Sequence, residues 1–269
     1  MSISLPTIGL GTYSLRGSRG AAAVAAAIES GYRLIDTAYN YENEGVVGRG
    51  IADSGIDRDE LIVTSKLPGR FQTRDEVATV LEESTYRLGL DHLDLYLIHW
   101  PNPKQGRFID AWRGLVDARE AGLVRHIGVS NFLPEHIEAV EEATGVRPEV
   151  NQVELHPRFP QTELLAWHAE RGIAVEAWSP LGRGDLLDHP TILHLAQRES
   201  ISPGALILAW HAAVGSVPLP RSSSPERQRA NLAAVERQLS AETVAAVSAI
   251  AAYGGRRLWD QDPATYEEF

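Results

Sequence analysis

The sequence predicts an α/β protein, a single (β/α)8 TIM barrel over residues 1–269 with its active site at the C-terminal ends of the strands. Three observations carry that expectation. Short apolar runs alternate with amphipathic stretches at a spacing of roughly thirty residues, the rhythm of repeated β/α units. Eight such runs are present, enough to close a barrel, in a chain of 269 residues where about 250 is typical. Asp36, Lys66 and His99 stand at the ends of three consecutive runs.

The strands, in order, are Thr7–Thr12, Leu34–Ala38, Leu61–Leu67, Leu93–Trp100, Arg125–Ser130, Glu149–Leu155, Ala174–Ser179 and Ser216–Pro220. They are short and mostly Leu-, Ile- or Val-rich, as strands covered on both faces must be. The helices between them have readable ends. Arg19–Ser30 stops at Gly31, and Thr73–Leu88 opens on a Thr-x-x-Glu capping box (Thr73, Glu76) and stops at Gly89. Phe108–Ala121 stops at Gly122, Pro134–Ala143 opens on a first-turn proline and stops at Gly145, and Thr162–Arg171 stops at Gly172. Pro225–Gln238 and Ala241–Ala252 follow the last strand, then the aperiodic tail GGRRLWDQDPATYEEF.

Bulk composition narrows the function classes. The formal charge of −11 argues against general nucleic-acid or anionic-membrane binding, although a local basic pocket is compatible with it. The chain has no cysteine, which excludes disulfides, thiolate metal sites and cysteine nucleophiles. The N-terminus lacks a signal-peptide pattern, and the longest apolar-leaning stretch, Ala205–Val217, is too short to span a bilayer. A cytoplasmic enzyme is expected, and a monomer, since no helix carries an apolar face beyond the needs of barrel packing.

In a parallel barrel the strand ends open on one face, so Asp36, Tyr41, Lys66 and His99 are expected around one pocket. A phenol, an ammonium, a carboxylate and an imidazole together suit carbonyl reduction. As hydride reaches carbon, charge grows on oxygen and a proton donor must lie within hydrogen-bond reach. Tyr41 fits that role, but a free phenol has a pKa near ~10. Lys66 is expected to lower it, Asp36 to balance the lysine, and a neutral His99 to donate a hydrogen bond that orients the substrate oxygen. Singly, each residue has an ordinary structural reading: a solvated turn, a snorkelling lysine, a packed histidine. Their joint placement favours chemistry.

The blocks LIDTAYNYENEGVVGRGI, LIVTSKL, LDLYLIHWP, RHIGVSNF, VNQVELHP and AWSPLGRG resemble the aldo-keto reductase superfamily, in order and spacing, over nearly the whole chain. The bacterial 2,5-diketo-gluconate reductase-like group is the nearest in pattern. This resemblance implies NADPH-dependent reduction of aldehydes or ketones, α-dicarbonyls and keto-sugars among them, without a metal. It implies a catalytic tetrad of Asp36, Tyr41, Lys66 and His99, with Tyr41 the acid in reduction.

The same resemblance assigns the cofactor contacts. Ser130, Asn131 and Gln152 would bind the carboxamide, Trp178 would stack on the nicotinamide, and Ser179, Pro180, Leu181 and Gly182 would follow it along the cofactor. Gly11, Thr12 and Tyr13 match residues where the cofactor and substrate sites join, beside Asp36. Arg221, Ser222, Ser223 and Arg227 would grip the 2′-phosphate, with Asn231 on adenine. Two cations, hydroxyls and a helix start after Pro225 make a local anion site in an acidic protein. The usual lysine of that pattern is Arg221, and the glutamate often found before the asparagine is Ala230. NADPH is therefore expected over NADH.

Tyr13, Tyr41, His99 and Trp100 are the expected substrate contacts, with Trp259 a further apolar wall. Pro68 stands where relatives often carry Trp. A short Pro101–Arg107 loop and a short tail predict an open pocket, and Ser2–Thr7 is at most a remnant of the floor-plugging hairpin.

No P-loop, Rossmann glycine pattern or H-E-x-x-H occurs, and His189 and His194 miss helical i, i+4 spacing. Two other readings stand beside the reductase. One is a non-catalytic NADP(H)-binding or sensing barrel, disfavoured by the intact tetrad. The other is a glycosidase using Glu154 and Glu176, disfavoured because neither closes its strand and the end of strand four is His99.

Overall fold

The computed structural model describes residues 3–253 and 256–268, so Met1, Ser2, Gly254, Gly255 and Phe269 of the expected start and tail lie outside the described residues. Eight parallel strands form one sheet in chain order: β1 (Leu10–Gly11), β2 (Leu34–Asp36), β3 (Ile62–Leu67), β4 (Leu93–Ile98), β5 (Val124–Ser130), β6 (Val150–Glu154), β7 (Ala174–Trp178) and β8 (Val217–Pro218). Every expected strand is found. Most are trimmed at their ends, and Thr7–Thr12 shrinks to the pair Leu10–Gly11.

The sheet curls, and its two edges approach each other. No ladder joins β8 to β1, but the amides of Gly9 and Gly11 donate to the carbonyls of Pro218 and Pro220 at 3.0 and 3.3 Å. Prolines at 218 and 220 offer carbonyls without amides, which limits this junction to bonds in one direction. Gly11 is required there, because an added Cβ would lie 2.6 Å from the carbonyl oxygen of Leu219.

The helices cover the outer face of the sheet. Those expected from periodicity are α1 (Gly17–Ser30), α3 (Arg74–Leu88), α4 (Phe108–Glu120), α5 (Pro134–Thr144), α6 (Thr162–Arg171), α9 (Pro225–Val235) and α10 (Ala241–Ser248). The capping box at Thr73 and Glu76 is present, and Gly31, Gly89, Gly145 and Gly172 end their helices in the left-handed region. Three further helices appear: α2 (Glu44–Ser54), α7 (Pro190–Arg198) and α8 (Pro203–Ala213). α8 carries apolar residues all round and buries Leu206 through His211, so it has no amphipathic stripe to read.

Alternation along the strands divides the core. Tyr96 and Ile98 of β4 face the main cluster beneath the helices, while Leu95 and Leu97 face inward with Val150. Ile3 and Leu5 pack against that inner cluster and cover its floor. Above it, the register aligns Gly11 with Asp36, Ser130 with Gln152, and Gln152 with Glu176. Polar side chains therefore collect at the carboxyl end of the sheet, over an apolar base.

Candidate active site

Two of the polar side chains on the inner face are locked into an ion pair. The ammonium of Lys66, on β3, lies 2.7 and 2.9 Å from the carboxylate oxygens of Asp36, at the end of β2, and donates to the Thr37 carbonyl at 2.7 Å. Lys66 is fully buried. Burial opposes its charge, but Asp36, Tyr41 and Glu176 together hold its pKa above the ordinary lysine value. A buried charge persists only when paired in this way.

Tyr41 sits just above, in a turn of 3-10 helix over Tyr39–Tyr41 that follows β2. The Lys66 ammonium is 5.0 Å from the centre of its ring. Burial raises the phenol above its ordinary pKa; Lys66 works against that rise and Asp36 adds to it. The lysine thus tempers the rise instead of producing the net acidification expected from the sequence, because one charge already shared with a carboxylate does not outweigh desolvation. The phenol accordingly keeps its proton at neutral pH. Edge-on contacts with Tyr13 (5.2 Å) and His99 (5.9 Å) fix the ring between them.

The structure brings Ser130, Asn131 and Gln152 together as well. Asn131, at φ 62°, donates to the His99 carbonyl and to the Ser130 hydroxyl, and accepts from the Trp178 indole at 2.8 Å. Ser130 donates to the Gln152 carbonyl, and the Gln152 amide nitrogen donates to Asp36 and Glu176, each at 2.8 Å. Gln152 therefore bridges two buried carboxylates. Glu176 was set aside in the sequence because it does not close its strand. It lies fully buried beneath the ion pair, its pKa pushed up to about 7 by burial and by Asp36.

Asp36, Tyr41, His99, Ser130, Asn131, Gln152 and Trp178 line one cavity of about 620 Å³. Gly11, Thr12 and Tyr13 form one wall, with the Thr12 hydroxyl donating to the Asp36 carbonyl at 2.8 Å. Trp178, Ser179, Pro180 and Leu181 form another, and Gly182 turns the chain at φ 56° just behind them. Buried His211 lies 3.1 Å from the Pro180 carbonyl through Nε2, a contact that fixes this segment from below. Burial pushes His211 down to about 3, so it holds that contact as a neutral ring.

Arg221 reaches the Ser14 hydroxyl at the cavity rim, and beyond it Ser223 and Arg227 are exposed at the start of α9. The cap of that helix is Ser224, which accepts from the Arg227 amide. Ser222 turns inward instead: it is buried and its hydroxyl bonds within the turn to Ser224. Asn231 is half-buried beside Tyr32, one turn further along α9.

The tail adds to the cavity wall. Trp259 stacks 6.2 Å from Trp178, Arg183 lies 3.4 Å over the Trp259 ring, and Trp259 and Gln261 join the cavity wall. Trp100 is buried against Tyr266. Trp259 is the wall expected from the sequence; the aperiodic residues around it give no pattern from which Gln261 or Tyr266 could be read. Among the described residues, no group of acidic or histidine side chains is arranged to hold a metal, and no helix is long and apolar enough to cross a membrane.

A profile of the aldo/keto reductase family matches residues 7–252. The chain belongs to the aldo/keto reductase family. Membership makes it an NADP-dependent oxidoreductase acting on carbonyl groups. It is 54% identical to the 2,5-diketo-D-gluconic acid reductase B of a Corynebacterium species, over 97% of this chain and 93% of that one. An aldo-keto reductase of Mycolicibacterium smegmatis is 42% identical over 98% of this chain and 94% of its own length. Among solved structures, the Gox0644 protein in its apo form superposes with a TM-score of 0.92 at 38% identity, covering 99% of this chain and 98% of that one. The Bombyx mori aldo-keto reductase, crystallised with NADP, superposes with a TM-score of 0.88 at 37% identity, covering 98% and 94%.

Proposed function

We propose that this protein reduces aldehydes and ketones, including α-dicarbonyls and keto-sugars, with NADPH, using Tyr41 as proton donor. The observation that carries the reading is the buried Asp36–Lys66 pair, with the Lys66 ammonium 5.0 Å from the centre of the Tyr41 ring and Asp36 lining the cavity. The 2,5-diketo-D-gluconic acid reductase relative supports the substrate class, and relatives crystallised with NADPH or NADP support the cofactor.

NADPH, when bound, supplies the hydride. The residues present fit it. Ser130, Asn131 and Gln152 meet at the strand ends to hold the carboxamide, and Trp178 offers its face to the nicotinamide ring. Arg221, Ser223 and Arg227 gather at the start of α9, where free amides and the helix dipole favour an anion such as the 2′-phosphate. Asn231 would contact adenine, and Ser222 shapes the turn.

The carbonyl oxygen of the substrate lies between Tyr41 and His99, with Tyr13, Trp100 and Trp259 around its carbon frame. As hydride adds to carbon, the C=O electron pair moves onto oxygen and takes the Tyr41 proton. The phenolate left behind faces the Lys66 ammonium, whose counter-charge on Asp36 is fixed. Holding that charge in place beforehand lowers the barrier without reorganisation in the transition state.

The sheet acts as a (β/α)8 barrel in a single domain, a reading supported by the Gly9 and Gly11 bonds to Pro218 and Pro220. The protein works as a cytoplasmic monomer on small molecules; its net charge of −11 disfavours nucleic acid and anionic membranes. The test is NADPH and NADH consumption against a panel of simple aldehydes, α-dicarbonyls and keto-sugars. Turnover with NADPH and weaker turnover with NADH is expected. NADPH binding without turnover on any carbonyl would favour a sensing protein instead.

A further inference from the structure

His99 has a second ring nitrogen, and a side chain from the far end of the chain meets it. Oε1 of Glu268 lies 2.7 Å from His99 Nδ1, on an approach bent away from the ring N–H direction. The same oxygen accepts from the Asn40 amide at 2.8 Å, and Oε2 accepts from the Gly69 amide at 2.8 Å. The backbone of Glu268 is gripped from both sides, its N–H donating to Asn102 Oδ1 at 2.8 Å and its carbonyl accepting from Asn102 Nδ2 at 2.9 Å.

Neighbouring residues repeat the grip: Glu267 accepts from the Lys104 amide at 2.7 Å, and Tyr266 packs 4.4 Å from Trp100. Space has been left for this arrangement. An added Cβ at Gly69 would stand 2.5 Å from the Glu268 carbonyl oxygen and collide with the Asn102 amide. Only 8% of Glu268 is exposed. Burial opposes its charge, but His99, the Gly69 amide and Asn40 together hold its carboxyl below the usual range, so it stands as a carboxylate at neutral pH.

We propose that Glu268 is a positioning residue for His99, holding the Nδ1 edge so that Nε2 addresses the substrate oxygen and making the C-terminal segment part of the active site. The proposal rests on the reading of His99 as a contact of that oxygen. A carboxylate held 2.7 Å from the Nδ1 edge and itself pinned by Gly69 and Asn40 restricts the tilt of the ring, as outer carboxylates orient other functional imidazoles. The sequence holds no signal for this contact, because His99 and Glu268 lie far apart in the chain.

The test combines ring-nitrogen NMR of His99 with kinetics of Glu268→Gln, Glu268→Ala and Asn102→Ala. In Glu268→Gln, which keeps the shape and removes the charge, the His99 ring-nitrogen shifts are expected to change. kcat/KM for a carbonyl substrate is expected to fall about tenfold, mostly through kcat, since the lost interaction serves the transition state. Asn102→Ala, which loosens the segment but keeps the carboxylate, is expected to fall less. Unchanged His99 ring-nitrogen shifts in Glu268→Gln would overturn the proposal. So would native kinetics in Glu268→Gln combined with matching losses in Glu268→Ala and Asn102→Ala, which would make the segment a mere cover. If the native protein reduces no carbonyl, the function reading fails, while the NMR still decides whether Glu268 sets the ring.

Discussion

At the residue scale, Lys66 is held in its charged form. It is sealed from water, bound to both oxygens of Asp36, and close enough to Tyr41 to temper the rise that burial gives the phenol. Glu176 adds a second carboxylate to the same buried space, linked to Asp36 through Gln152. Two carboxylates share one ammonium there, and Glu176 is pushed up to about 7. An acid whose pKa is raised by folding binds more protons folded than unfolded, so its contribution to stability falls as pH rises between its ordinary value near 4.5 and about 7. Glu176→Gln removes that loss. Urea unfolding at pH 5 and pH 8 should show the variant gaining stability relative to the native protein at pH 8, and much less at pH 5. An equal difference at both would mean that Glu176 is ionised alike in the folded and unfolded states.

That Asp36, Lys66 and His99 would gather was legible in the sequence because they stand at the ends of three consecutive apolar runs, while Glu176 was not. A glutamate inside a strand reads as a defect until the neighbouring strand supplies the Gln152 amide.

Among the elements, α9 and the loop before it have the clearest consequence for function. Ser224 caps the helix, Ser222 turns inward, and Arg221, Ser223 and Arg227 are left on the surface around the first turn. Replacing Arg227 by Glu sets a negative charge where a 2′-phosphate would sit. KM for NADPH is expected to rise by about tenfold or more while KM for NADH changes little, because a phosphate contact is a charge-assisted bond that NADH does not make. Equal changes for both cofactors would move the phosphate site elsewhere.

Helices with a polar face and a glycine stop could be read directly, as α1, α3 and α6 show. α8 could not, since burial on all sides erases its period, and α2 carries three glycines that weaken its helical signal, whereas α7 has an apolar stripe of Ile192, Leu195 and Ala196 that could have been read. α2 also depends on Gly48, where an added Cβ would strike the backbone at Leu88, the end of α3. That close approach is visible only once the helices are packed.

At the scale of the whole molecule, eight strands and their order followed from the apolar runs, but the way the sheet edges meet did not. The junction between β1 and β8 rests on glycines and prolines, which give no apolar signal and make only the bonds from Gly9 and Gly11. Of the tail, only Trp259 was expected at the pocket. Its residues have no period, yet Trp259 and Gln261 line the cavity, and Tyr266 and Glu268 meet Trp100 and His99 of its wall. Such contacts depend on the mouth that the barrel has already built, so no local pattern encodes them.

The central claim is that Tyr41 gives its proton to the carbonyl oxygen over the Asp36–Lys66 pair. Tyr41→Phe keeps the ring and its contacts and removes only the hydroxyl. Measured side by side, NADPH affinity by fluorescence titration and turnover on a reduced carbonyl substrate should separate. Affinity is expected to stay within a factor of about two, and kcat to fall by about 10²–10⁴, the usual contribution of a positioned acid. A kcat equal to that of the native protein would contradict the account.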